Sequence, residues 1–303
     1  MELNNKPTIS VLLSTYNGHD YLRKLVDSVL AQENVNVKLQ VRDDGSSDDT
    51  IDILKSYKDD RITISKGKNL KPALSFLTLL HECQDSDYYA YCDQDDYWYS
   101  NKLTTAAKAL ENVDGPALFI STYDVCDENL NVKFTYDMKF EEELRLQDAL
   151  LYRSPSACTM VFNHALRVLI NKSNPSFVRM HDFWTLIVAL SHNCTIITTN
   201  APLIGYRQHE NEMVGITPTF SMRLKRLIRS ATKGENERWR QAKEAYDAYK
   251  NDISEDKKDI LETVIKYRDS LSCKRKLLQD KRFKTSSSYI NFLFKASVFL
   301  GKF

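Results

Sequence analysis

Glycine is scarce in this chain of 303 residues: there are eight, and no two lie closer than ten positions apart. That spacing excludes both the G-x-G-x-x-G fingerprint and the P-loop, so any phosphate must be held by other means. Six cysteines, at 83, 92, 126, 158, 194 and 273, never fall at C-x-x-C spacing, which argues against a zinc site or a redox pair. No stretch approaches 18 apolar residues, so no membrane-spanning helix is expected. The opening "MELNNKPTISVLL" lacks the basic flank and the apolar length of a signal peptide. The expected location is therefore cytoplasmic, with thiols reduced. Internal repeats and long low-complexity stretches are also missing.

What is present is an apolar fraction of 42%, enough for a packed core, and a formal net charge of +1 that conceals a split. Residues 216–303 hold 21 Lys+Arg against 11 Asp+Glu, a net +10, so the preceding 215 residues carry −9. Such asymmetry predicts two regions, the second facing something anionic.

Strand and helix patterns alternate through the first ~110 residues. "TISVLLS", "VKLQVRD", "RITISK" and "DYYAYCD" read as strands, separated by apolar residues at helical spacing. Pro72 suits the first turn of the third helix. The alternation predicts an α/β fold, a mostly parallel sheet flanked by helices. Ligands in such sheets bind at the carboxyl ends of the strands, which brings Thr15–Asn17, Asp43–Gly45 and Asp93–Asp96 to one edge. Beyond residue 115, "ALFISTYDVCDENLNVKFTYD" reads as two strands joined by a turn. "SACTMVFN" is a further strand and "HDFWTLIVALSHN" a helix. "TIITTNAPLIGYRQH" reads as two short strands around Pro202. From about Phe220 onward the pattern is helical and basic.

Two acidic stretches follow strands directly. In "YCDQDDYW", residues two apart on a strand end point the same way, so Asp93 and Asp95 are expected to face one side and Asp96 the other. Clustered carboxylates repel unless a cation neutralises them, and Mg²⁺ or Mn²⁺ suits carboxylate oxygens alongside substrate phosphates. A solvated loop would carry the same residues. In "VRDDGSSDDT", Asp44–Gly45 makes a tight turn and Ser46–Asp48 can cap the next helix; a carboxylate there can also accept from a base or ribose.

Taken in order, "SVLLSTYNGHDYLRKLVDSVLAQ", "VRDDGSSDDT" and "YCDQDDYWYSNKL" resemble the inverting glycosyltransferases of family 2, over roughly residues 7–215. The resemblance implies a GT-A fold with a catalytic domain over 1–218 (nucleotide-binding half 1–115, acceptor-binding half 116–218) and a basic helical region over 219–303. It implies that Thr15, Tyr16 and Asn17 border the nucleotide and that Asp44 holds the base. It implies that Asp93 and Asp95 form a D-x-D meeting ribose and metal, with Asp95 as the metal ligand. "KGKNLKPALSFLTLL" departs from the family's G-x-N-x-G-x-x-x-N-F segment at Lys71 and Ser75, leaving Asn69 as the candidate contact. The family's general base lies in an acidic motif at a helix start about 90 residues after the D-x-D, and "VRMHDFWTLIVAL" fits, with Asp182 as base. A positioned carboxylate takes the acceptor's proton, and a metal spares the leaving diphosphate a general acid. The helix-cap reading of Asp182 is the plainer alternative.

"YRQHENEMVG" matches the place of the family's basic-aromatic motif, so Arg207 would touch the diphosphate and His209 complete the metal shell; His181, Trp98 and Trp184 are candidate sugar or acceptor contacts. The H-D-F-W and Y-R-Q-H segments look most like bacterial rhamnosyltransferases of polysaccharide and O-antigen assembly, although Asn211 sits one place early. The implied donor is dTDP-L-rhamnose, with a UDP-hexose as the alternative, and the implied acceptor is lipid-linked. The basic stretch "FSMRLKRLIRSATKG" and the apolar "SSSYINFLFKASVFLGKF" are then expected to lie on an anionic membrane surface at its inner face, or else to pack on the catalytic domain or on a second copy in a homodimer. Nucleic acid is not an expected partner, because no recognition motif accompanies the charge. An aspartate-nucleophile phosphatase would leave the D-D-G-S turn unexplained, and a non-catalytic scaffold would leave Asp93, Asp95 and Asp182 without a task.

Overall fold

The structure, a computed structural model, describes residues 6–138, 144–151, 155–208 and 236–303. Its first half runs β1 (Thr8–Thr15), α1 (His19–Leu30), β2 (Asn36–Asp43), α2 (Thr50–Ser56), β3 (Ile62–Lys66), α3 (Lys71–Glu82) and β4 (Tyr88–Cys92). These strands pair in parallel in the order β3-β2-β1-β4, as the alternation predicts. β1 is buried on both faces, which is why it reads as an unbroken apolar run. Its odd positions, Ile9, Val11 and Leu13, pack into one core with Leu22, Leu25 and Val29 of α1. Leu12 points the other way, into a second core with Phe76 and Leu80 of α3.

The second half adds β5 (Tyr97–Trp98), α4 (Lys102–Leu110), β6 (Ala117–Cys126), β7 (Val132–Thr135), α5 (Leu146–Leu151), β8 (Met160–Asn163), α6 (His164–Asn171), α7 (His181–Ser191) and β9 (Thr195–Arg207). β8 runs antiparallel between β4 and β6, β9 lies parallel to β6, and β7 pairs β6 as the expected hairpin. The two short strands expected around Pro202 are instead one strand. Its register against β6 slips between Ser121 and Thr122, where Pro202 stands opposite Thr122. An irregularity of this kind is where a strand tolerates a residue without an N–H.

The remaining helices, α8 (Glu237–Tyr249), α9 (Glu255–Lys266), α10 (Leu271–Gln279) and α11 (Ser288–Phe299), pack against the α3 face. Tyr249, Leu261, Tyr267, Phe294 and Phe303 share one core with Phe76, Leu146 and Trp184. Among the described residues, the expected division at 218/219 is therefore no break in the core. The basic stretch 220–234 lies outside the described residues.

Candidate active site

Four loops leave the carboxyl ends of the parallel strands, and short hydrogen bonds lock them together. After β2, the Asp43 carboxylate accepts from Thr15 Oγ1 (3.2 Å), Gly45 N (3.2 Å), Ser46 N (3.0 Å) and Ser46 Oγ (2.5 Å). Gly45 at φ 90° makes this turn possible, since a side chain there is strained. Asp44 N donates to Thr15 O (2.8 Å) and Gly67 N to Asp43 O (2.9 Å), joining the ends of β1, β2 and β3. Asn17 sits in the left-handed region at φ 49°, where its Oδ1 accepts from Ser47 N (2.9 Å) and its N–H donates to Ser46 Oγ (2.9 Å). The D-x-D loop joins through its middle residue. Gln94 Oε1 accepts from Tyr16 N (2.9 Å), and Gln94 Nε2 donates to Tyr16 O (3.2 Å).

β4 ends at Cys92, so Asp93–Asp96 form a turn and the strand alternation expected of them does not apply. The donor atoms of Asp93, Asp96 and Cys158 lie within 4.8 Å of one another. Asp96, expected on the far side, is thus the partner of Asp93. It is 1% exposed, with the Cys158 thiol and the Arg207 backbone N–H at its carboxylate. Burial, then the charges of Asp95 and Asp93, push its carboxyl well up. The same effects act on Asp93: burial first, then Asp95 and Asp182, raise it to about 7. Lys102, fully buried over the Trp98 ring, supplies a cation near Asp96, and burial lowers it to about 8. Buried carboxylates held this close together suit a divalent cation, and the Cys158 thiol adds a softer donor.

Asp182 opens α7, where a negative charge is favoured by the helix N-terminus. It is 9% exposed, its Oδ1 accepts from Phe183 N (2.7 Å), and its charge acts on Asp93. Base candidate and D-x-D therefore share one site. Arg207, at the end of β9 and 2% exposed, donates from Nε to Asp95 O (2.8 Å) and from Nη1 to Glu128 O, with its guanidinium over the Tyr21 ring. It clamps the back of the D-x-D turn to the β6–β7 connection.

Glycosyl transferase family 2, as a family model, matches residues 10–169. The chain belongs to that family. The dTDP-rhamnosyl transferase RfbG of Shigella flexneri is 25% identical over 234 residues, 71% of this chain and 78% of that one. The UDP-Glc:alpha-D-GlcNAc-diphosphoundecaprenol beta-1,3-glucosyltransferase WfaP of Escherichia coli is 32% identical over 103 residues, 34% of this chain and 41% of WfaP. Among solved structures, S. aureus TarS 1-349 in complex with UDP-GlcNAc matches at a TM-score of 0.59 and 18% identity, covering 85% of this chain and 70% of that one. That likeness confirms the GT-A fold. The protein is a family 2 glycosyltransferase.

Thr15, Tyr16, Asn17, Asp44, Asn69, Asp93, Asp95 and Asp182 all belong to the strand-end loops or the start of α7. Tyr16 is 49% exposed, and Asn69 is exposed with its Oδ1 turned to Lys71 N (3.0 Å). Asp44 is buried, paired with Arg42 and accepting from Leu70 N (2.8 Å). Three expected sugar contacts are corrected. Trp98 and Trp184 are 1% and 0% exposed and belong to the two cores, so neither meets a sugar. His181 is 1% exposed, stacked on Phe76 at 3.9 Å and edge-on to Tyr91; burial lowers it to about 3, so it packs as a neutral ring. His209 lies outside the described residues.

Sequence reasoning missed Gln94, Asp96, Lys102 and Cys158. It also missed an aromatic wall, in which Tyr123 stacks on Tyr136 at 5.0 Å and meets Tyr206 at 5.1 Å. Tyr206 adjoins Arg207, which donates to Asp95 O (2.8 Å), so the wall stands beside the acidic turn. A run of tyrosines in β6, the following segment and β9 was the available signal.

Proposed function

We propose that this enzyme transfers L-rhamnose from dTDP-L-rhamnose, with inversion, to a lipid-linked saccharide during assembly of a cell-surface polysaccharide, working at the inner face of the membrane. The observation that supports the chemistry is the anchoring of the first turn of α7 to the end of β4, where the Tyr91 ring meets His181 at 4.7 Å and its hydroxyl hydrogen-bonds Thr185 Oγ1 (2.9 Å), with Asp182 between them and Asp93 two residues beyond Tyr91. Asp182 takes the proton of the acceptor hydroxyl. The acceptor oxygen bonds to the anomeric carbon from the face opposite the diphosphate. The bond from that carbon to the phosphate oxygen breaks, and its electron pair leaves with the nucleoside diphosphate. A divalent cation, Mg²⁺ or Mn²⁺, would be held by Asp93 and Asp96 beside the Cys158 thiol, with Asp95 of the same turn as the further carboxylate, and would neutralise the diphosphate charge. Gln94 and Arg207 hold the backbone of that turn in place. Thr15, Tyr16, Asn17, Asp44 and Asn69 border the nucleotide. Tyr136 and Tyr206, both half-buried, offer the acceptor sugar a stacking face in place of the two buried tryptophans.

The rhamnose donor is supported by the breadth of the RfbG match. A UDP-hexose is the second reading, favoured by the higher local identity to WfaP. Nucleotide release by purified protein with Mg²⁺ or Mn²⁺ separates them, across dTDP-rhamnose and the common UDP-sugars, with and without a lipid-linked acceptor mimic. Release from dTDP-rhamnose that vanishes in Asp95→Ala and Asp182→Asn is the expected result. Release from a UDP-hexose alone replaces the donor, and release that survives Asp182→Asn removes that residue as the base.

A further inference from the structure

α11 has two apolar faces, and only one of them is used by the fold. Phe294, Ser297 and Val298 are buried at 3%, 3% and 0% exposure, and Phe294 packs against Phe283 and Phe303. The opposite stripe, Tyr289, Phe292, Phe299 and Leu300, is 49%, 61%, 73% and 52% exposed. Steps of three, seven and one place these four on a single side of a helix. Leu271, the first residue of the neighbouring α10, is 84% exposed as well. These are five of the ten large hydrophobic side chains left exposed among the described residues, gathered within 30 positions of one another. A fold gains nothing from showing two phenylalanines to water, and clustered exposed aromatics mark a contact surface.

The charge around the stripe says what covers it. Residues 270–303 carry eight Lys+Arg and a single acidic residue, Asp280. That aspartate is already bound by Arg282. Lys295 lies between Phe292 and Phe299 on the exposed side of α11, and Lys274 caps the helix end by donating to Phe299 O (3.2 Å). Arg275, Lys281 and Lys284 are exposed on the adjoining segments. Aromatic and aliphatic residues flanked by cations, with the nearby Asp280 and Asp259 already paired to Arg282 and Lys276, match a bilayer interface bearing anionic headgroups. Among the described residues no helix is long and apolar enough to cross a membrane, so contact through α11 would be made on the surface.

We infer that the exposed face of α11, with Leu271 and the surrounding lysines, is the surface by which this enzyme docks on an anionic phospholipid bilayer. The inference rests on the lipid-linked acceptor proposed above only for its purpose; the surface stands on its own residues. α11 shares its core with Trp184 of α7, the helix that opens with Asp182, so docking holds the site at a set distance from the membrane.

The test is flotation of the full chain with vesicles of phosphatidylcholine alone and of phosphatidylcholine with phosphatidylglycerol, for wild type, Phe292→Asp/Phe299→Asp and Lys274→Glu/Lys295→Glu. Wild type is expected to float only with the anionic vesicles. Each lysine reversed is expected to weaken partition by about fivefold or more, and the phenylalanine variant to remain in the soluble fraction. Nucleotide release in detergent-free buffer with a water-soluble acceptor is measured in parallel and is expected to be unchanged in both variants. Wild type that fails to float while releasing nucleotide overturns the docking surface and leaves the transferase reading intact. Flotation unaffected by both variants also overturns it, by placing the contact elsewhere on the chain. A dimer in sedimentation velocity that Phe292→Asp/Phe299→Asp dissolves overturns it in favour of a second copy on this face.

Discussion

The middle residue of the D-x-D turn, Gln94, predicts a measurable loss that a free side chain would not. Its amide makes two hydrogen bonds to the backbone of Tyr16, at 2.9 and 3.2 Å, and so ties the end of β4 to the end of β1. Each such bond in a partly exposed place is worth about 0.5–1 kcal/mol. Gln94→Ala should therefore cost about 1–2 kcal/mol, divided between fold stability and the organisation of the donor site. If all of it falls on the site, donor affinity drops by about 5–30-fold. Gln94→Glu keeps the acceptor atom but turns a second oxygen toward Tyr16 O and adds a carboxylate beside Asp93, Asp95 and Asp96. It should lose more donor affinity than the alanine variant in metal-free buffer and recover part of it when a divalent cation is added. Calorimetric titration of the nucleoside diphosphate, with and without Mg²⁺ or Mn²⁺, and thermal melts of the same samples give both shares. Unchanged melting and unchanged donor affinity in Gln94→Ala would refute the clasp. A glutamate variant that binds as well as wild type without metal would refute the electrostatic reasoning.

Other expectations can be measured on the same protein. Asp93 is raised to about 7 in the fold, well above the ordinary aspartate range near ~3.9, so its contribution to stability is present at low pH and is lost as pH rises through about 7. Metal-free melting temperature should accordingly fall from about pH 4, the unfolded value, to about pH 7, the folded one, and level off above it, and Asp93→Asn should flatten the trend; a rise with pH across that window in wild type contradicts the assignment. Arg207→Ala strands the carbonyls of Asp95 and Glu128 and should destabilise the fold by about 2–3 kcal/mol in denaturant titrations, with divalent-metal affinity falling alongside. Tyr136→Ala should raise KM for the acceptor by about tenfold and leave donor KM unchanged, since one stacked ring is worth about 1 kcal/mol or somewhat more. Equal effects on both substrates would remove the aromatic wall from the acceptor side.

The parallel half of the fold was legible because burial on both faces imposes unbroken apolar strands between amphipathic helices, and β1 carries that signature along its length. The strand-end loops followed from topology alone. What composition and spacing did not convey is the direction of side chains beyond a strand's last residue. The D-x-D lies in a turn, so period-two reasoning paired Asp93 with Asp95 and turned Asp96 the other way. Trp98, His181 and Trp184 stand next to functional motifs in the chain yet point into the cores, and adjacency in sequence carries no such vector. Cys158 and Lys102 reach the acidic turn from other segments, a meeting that only tertiary structure reveals. The union of the C-terminal helices with the α3 face was hidden for a similar reason, because a buried tyrosine and an exposed one look alike in sequence.

That shared core has a bearing on how the enzyme comes into being during synthesis. The strand-end loops proposed to meet the donor have all left the ribosome once residue 96 has, and they hydrogen-bond one another, with only the Arg207 clamp and the Cys158 thiol still to come. The helix that carries Asp182 in its first turn waits longer, because its Trp184 settles against Tyr249, more than sixty positions further on. A nascent chain should thus acquire a place for the nucleotide well before it acquires a firmly seated base. If Asp182 is the base as proposed, sugar transfer should begin only after the C-terminal helices have packed onto the α3 face.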